Sequence, residues 1–191
     1  MTLGHLRQAS EGSVEIKNTY PFTRHLNDRR WCYIMQGQLE GFERLPLTGR
    51  FTPLGTTDGE YAFCWLMDRL MTSKARDVAS RCDMLRNCGD LLAEMGVFNM
   101  LLSDGEVLYA YCSTSLHYLT RRAPFGTVTS LDNDEQLDLS LHCDKATVYT
   151  LLATHPLTSE SGWQDMAAGE TIAFRSGVPC AVSTPATAIP S

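Results

Sequence analysis

The sequence has no excess of basic residues. Lys and Arg number 16 against 22 Asp and Glu, giving a formal net charge of -6. Without a positive stripe there is no footprint for nucleic acid or anionic lipid, and neither is an expected partner. No apolar run approaches the roughly 20 residues of a membrane-spanning helix. The opening MTLGHLRQASEG lacks the basic-then-apolar order of a secretory leader. No two cysteines are spaced as CxxC, and the five histidines show no convincing ligand spacing. Neither a metal site nor any other cofactor is therefore expected. GxGxxG, GxxxxGKS, HExxH and GxSxG are missing as well, which sets aside the commonest nucleotide, zinc-protease and serine-hydrolase signatures.

What is present is an ordinary globular balance, 43% apolar and 20% charged over 191 residues. One domain of that size buries about 70% of its unfolded surface without staples. The seven cysteines are Cys32, Cys64, Cys82, Cys88, Cys112, Cys143 and Cys180. They read as reduced, mostly buried small hydrophobes in a cytoplasmic protein.

Periodicity places the elements. Trp31 to Met35 is a short β-prone run ending in a turn at Gln36-Gly37. Residues 46–56 read as a loop. Thr57 and Glu60 have the spacing of a capping box, and Phe63, Leu66, Met67, Leu70 and Met71 make one apolar stripe behind it. A second helix is predicted from Asp77 to Met95, ended by Gly96. Val97–Leu102 and Val107–Cys112 flank Asp104-Gly105, a strong hairpin signal. Leu116–Thr120 and Thr171–Phe174 are further strands. Thr147–Ala153 is apolar enough for a central strand covered on both faces. Residues 178–191 hold three prolines and no charge, and read as a loosely held tail. Strands, two helices, then strands again indicate an α+β fold.

Three features could carry chemistry. Asp58 opens the first helix, where a carboxylate either complements the helix dipole or meets a substrate ammonium. Arg7 lies on or beside the first apolar segment and could clamp a carboxylate with paired N–H groups. Gln36-Gly37 is either a turn or a pair of amides aimed at a developing oxyanion.

The ordered blocks HLRQAS (5–10), NTYPFTR (18–24), GTTDGEYAFCWLMDRL (55–70), GVFNMLLSDG (96–105), TRRAPFG (120–126) and ATHPLT (153–158) resemble class II glutamine amidotransferases, in particular small stand-alone bacterial members. The resemblance implies an N-terminal-nucleophile-hydrolase fold, an αββα sandwich, here lacking its first strands and helix. It implies an amidotransferase-like domain over 1–177 followed by a Pro-rich tail over 178–191.

In that family an N-terminal cysteine attacks the glutamine amide with its own α-amine as base. By match, Arg7 would bind the α-carboxylate and Asp58 the α-amine. Gly37 would supply the oxyanion amide, and Ser10 and Thr57 would line the pocket. The departures are as informative. The HxRxA block begins at residue 5, so the segment with the nucleophile is expected to be absent. The family's His-Asn-Gly reads Met35-Gln36-Gly37, which makes Gln36 a degenerate oxyanion residue. Asn-x-His-Pro reads Asn18-Thr19-Tyr20-Pro21, and Thr-Asp-Ser-Glu reads Thr57-Asp58-Gly59-Glu60. The expectation is a protein inactive alone in glutamine hydrolysis. It could bind an amino acid such as glutamine, or be the remainder of an enzyme completed by a missing segment. A second copy or a complementing chain is expected at an exposed sheet edge.

Overall fold

The computed structural model describes residues 1–5 and 15–185. Six strands form one antiparallel sheet: β1 (Phe22–Leu26), β2 (Arg29–Leu39), β3 (Gly96–Ser103), β4 (Val107–Cys112), β10 (Glu170–Arg175) and β11 (Val178–Ser183), in that spatial order. A second antiparallel sheet has β5 (His117–Arg122) between β8 (Val148–Ala153) and β9 (Gln164–Asp165). The short pair β6 (Thr127–Thr129) and β7 (Gln136–Asp138) stands apart from both. The fold is α+β, with two helices, α1 (Asp58–Thr72) and α2 (Val78–Ala93), against the six-stranded sheet.

Alternation along the strands separates two cores. Tyr33, Met35, Phe98, Met100, Leu102, Tyr109 and Tyr111 face the helices and meet Phe63, Leu66, Met67, Leu85 and Leu92. Leu108, Ala110, Ile172 and Phe174 point the other way and meet Leu116, Tyr118 and Leu152 of the second sheet region. Helices, sheet and sheet thus stack in layers.

Thr57 caps α1, its Oγ1 accepting from Glu60 N at 3.2 Å. The capping box is only half formed, because the Glu60 carboxylate turns outward from the helix start. It accepts from Gly55 N at 2.6 Å and from Arg24 Nη2 at 2.7 Å. Arg24 also donates to Thr52 O at 2.8 Å. One turn pair further along, Asp68 accepts from Thr48 N at 2.8 Å and Thr48 Oγ1 at 2.6 Å. Two buried carboxylates of α1 therefore pin the loop over 46–56. This explains why α1 is buried well beyond the predicted stripe, including Cys64 and Trp65, while Met71 is exposed.

Several expectations change. β2 runs through Gln36-Gly37 to Leu39 instead of turning there, and β1 adds a strand ahead of it at Phe22–Leu26. Gly96 starts β3. β8 is an edge strand, half-buried throughout, not a covered central one. Val178–Ser183 is not loosely held: it pairs with β10, and its edge position accommodates Pro179 because one side of an edge strand needs no N–H donor. The Asp104-Gly105 hairpin forms as predicted, with Asp104 Oδ1 accepting from Glu106 N and Val107 N.

Candidate functional site

β2 outruns its outer neighbour. Its pairing with β1 extends from Arg29 to Tyr33, whereas its pairing with β3 continues to Leu39. Beyond Tyr33 no strand among the described residues pairs along one edge of β2. In an antiparallel ladder, alternate residues turn their N–H and C=O toward opposite neighbours. Phe98, which faces Gly37, donates its N–H to Ser113 Oγ at 2.8 Å, toward β4. Gly37 therefore directs its N–H to the open edge. Leu39 has the same parity, and its N–H leaves the sheet to donate to Asp58 Oδ2 at 2.8 Å. Two strand residues span about 7 Å. The Gly37 amide and the Asp58 carboxylate thus share one exposed edge, and no donor among the described residues reaches Asp58 Oδ1.

Glycine at 37 is a steric requirement. Its φ is +136°, and a Cβ there would lie 1.8 Å from Val97 O. Gln36 has the opposite parity. Its Oε1 accepts from Asn99 Nδ2 at 2.7 Å, on the sheet face away from the helices. Asn99, only 2% exposed, also accepts from Ser113 N at 2.9 Å and Thr114 N at 3.1 Å. The extra methylene of Gln36 is taken up by this contact.

Beneath the edge lies an aromatic floor. Tyr20 packs on Phe22 with ring centroids 4.6 Å apart, and Tyr33 stacks on Phe63 at 4.9 Å. The Tyr33 hydroxyl is buried with no hydrogen-bond partner among the described residues, and burial, then Tyr20 and Asp58, push its pKa well above the ordinary value. His5 sits against Tyr20 at 4.7 Å, which brings the start of the HLRQAS block beside the site. Arg7 and Ser10 themselves lie outside the described residues. Tyr20 and Gly59 are complementary: a Cβ at 59 would lie 1.8 Å from the Tyr20 hydroxyl. Two separate departures noted in the sequence occupy one volume.

The structure thus brings Gly37, Asp58 and Thr57 to one end of the molecule and draws Gln36 to the other face of β2. Sequence reasoning missed Asn99, although a polar residue amid the apolar GVFNMLL run was a visible signal. It missed Arg24 too, an arginine inside NTYPFTR.

Residues 1–190 match the family model for class-II glutamine amidotransferases. The chain belongs to the class-II glutamine amidotransferase family. It is 47% identical over 171 residues to Escherichia coli YafJ, named as a glutamine amidotransferase, covering 88% of this chain and 67% of that protein. A Haemophilus influenzae protein also named as a glutamine amidotransferase is 35% identical over 193 residues, covering 98% of this chain and 65% of the relative. The crystal structure of a Pseudomonas aeruginosa protein described as a glutamine amidotransferase superposes with a TM-score of 0.74 at 37% identity, over 86% of this chain and 65% of that one. The glutamine phosphoribosylpyrophosphate amidotransferase of Bacillus subtilis, at 12% identity and a TM-score of 0.53, shares the fold, over 97% of this chain and 35% of that one. The chain spans half to two thirds of the length of the curated relatives it matches.

Against the class-II amidotransferase pattern, no cysteine occupies the N-terminal nucleophile position: Cys32 is the first in the sequence and lies within β2. Burial pushes the thiols of Cys64 and Cys88 up to about 11 and that of Cys82 up to about 12, far from an activated thiolate. Iodoacetamide at pH 7 is expected to alkylate the exposed Cys180 first, then the half-buried Cys143 and Cys32. Cys64, Cys82, Cys88 and Cys112 should react only after denaturation. Peptide mass mapping reads this order, and early alkylation of any of those four would contradict their burial. Among the described residues no helix is long and apolar enough to cross a membrane, and no cluster of three or more His, Cys, Asp or Glu could hold a metal.

Proposed function

We propose that this chain carries the amino-acid-recognition edge of a class-II glutamine amidotransferase and, acting alone, does not hydrolyse glutamine. The observation that carries this reading is the open edge of β2, where the Gly37 N–H and the Asp58 carboxylate stand beside each other with no cysteine among the first 31 residues. Asp58 would receive the α-ammonium on Oδ1, its other oxygen being held by Leu39. Arg7 would pair with the α-carboxylate, and Gly37 would offer its amide to the side-chain carbonyl. Thr57 supports Asp58 by capping α1, and Ser10 would line the pocket. Gln36 is tied to Asn99, so the side-chain oxyanion donor is lost, a change worth about 2.7–4 kcal/mol of transition-state stabilisation on its own. The same edge would suit a complementing segment or a second copy pairing along β2. A polypeptide that supplied a terminal cysteine there would complete a glutaminase.

Ammonia release from glutamine by the purified 191-residue chain should not rise above the blank. Glutamine at millimolar concentration should raise the melting temperature of the wild-type chain and leave that of Asp58→Asn unmoved. Substantial turnover would overturn the inactivity. Absence of any glutamine-dependent shift would overturn the recognition edge.

A further inference from the structure

At the far side of the Asn99 contact, three side chains stand in line. Ser115 Oγ lies 3.2 Å from His117 Nε2, and His117 Nδ1 lies 2.7 Å from Asp165 Oδ1. The order is hydroxyl, imidazole, carboxylate, with both links inside hydrogen-bond reach. We propose that Ser115, His117 and Asp165 form a nucleophilic serine centre for small activated acyl esters, separate from the glutamine edge.

Sheet register builds it. His117 of β5 is the direct cross-strand partner of Asp165 of β9, a spacing that sets their Cβ atoms about 5 Å apart. The carboxylate fixes the tautomer: Nδ1–H donates to Asp165, which leaves the Nε2 lone pair facing Ser115. Ser115 sits on a rigid turn, because Asn99 Oδ1 gathers the N–H groups of Ser113, Thr114 and Ser115 at 2.9, 3.1 and 3.4 Å. The Ser115 hydroxyl proton has two acceptors, Thr154 O at 2.8 Å and His117 Nε2. Rotation about Cβ–Oγ passes it from the first to the second without moving a heavy atom. Asp165 has 84% of its side chain exposed, and Ser115 and His117 are half-buried, so the centre opens to solvent and suits short acyl groups.

In the forward step Oγ attacks the ester carbonyl carbon while Nε2 takes the hydroxyl proton. The bond to the leaving oxygen breaks, and the imidazolium returns the proton to it. The products are acyl-Ser115 and an alcohol. Water, deprotonated by Nε2, then attacks the acyl ester. Oγ leaves and recovers the proton, releasing the acid.

The test is labelling of the full 191-residue chain with a fluorophosphonate probe, followed by peptide mass mapping, together with p-nitrophenyl acetate hydrolysis. The expected result is one adduct, on Ser115, absent from Ser115→Ala along with the esterase activity. His117→Gln should slow labelling by about 100-fold or more, and Asp165→Asn should slow it as well. Circular dichroism checks that each variant is folded. Should His117→Gln fail to fold, the exposed Asp165→Asn variant decides alone. No adduct on Ser115, or labelling at the wild-type rate in a folded His117 or Asp165 variant, would overturn the proposal.

Discussion

Replacing Glu60 with alanine is expected to lower the stability of the fold by about 3–5 kcal/mol, the range for removing one partner of a buried ion pair. Glu60 is 1% exposed and Arg24 has 16% of its side chain exposed. Removing the carboxylate leaves the guanidinium with the Thr23 and Thr52 carbonyls and strips the Gly55 N–H of its acceptor. Glu60→Gln tests the same contact more gently. Its single carbonyl can serve either Arg24 or Gly55, and its NH2 then faces the other donor, so an intermediate loss is expected. Urea unfolding reads both as a drop in midpoint with little change in slope. A loss below about 1 kcal/mol for the alanine variant would show that the Glu60 contacts do not hold the loop.

The second large effect is a coupling. Gly59→Ser alone should destabilise by about 1–3 kcal/mol, the usual cost of overpacking, because the new Cβ meets the Tyr20 hydroxyl. Tyr20→His alone should also cost stability, by removing ring contacts with Phe22 and Tyr33. The double variant restores the His and Ser of the family pattern together. It should be less destabilised than the sum, with an interaction energy of roughly 1–3 kcal/mol. Urea midpoints of the four proteins close the cycle. Additivity within about 0.5 kcal/mol would mean that the two positions do not share their space.

These two cases mark where local pattern stops being informative. Thr57 and Glu60 correctly announced the start of α1, since capping depends on a spacing of three residues and little else. The destination of the Glu60 carboxylate depended on Arg24, 36 residues away, which no local pattern encodes. The Asp104-Gly105 hairpin was legible because its geometry is set by the turn residues themselves. β8 was misjudged because apolar content does not distinguish a central strand from an edge strand whose neighbours cover it from one side. The proline content of 178–191 concealed β11, whose edge position makes Pro179 harmless. At the candidate site, Asp58, Thr57 and Gly37 were singled out through family spacing, and the structure sets Gly37 and Asp58 along one side of β2. Gln36 was read as a degenerate oxyanion residue, but its grip on Asn99 required the β2–β3 register. Ser115, His117 and Asp165 could not be connected from sequence, since 48 residues separate the imidazole from its carboxylate.

The loop over 46–56 has no regular strand or helix of its own, yet its main-chain and side-chain donors end on Asp68 and Glu60 of α1, and its Thr52 carbonyl ends on Arg24 of β1. Those acceptors come into place only when α1 is docked on the sheet. Loop, helix and β1 therefore open and close as one cooperative unit, and a segment with the look of a flexible connector shares the opening free energy of the core beneath it.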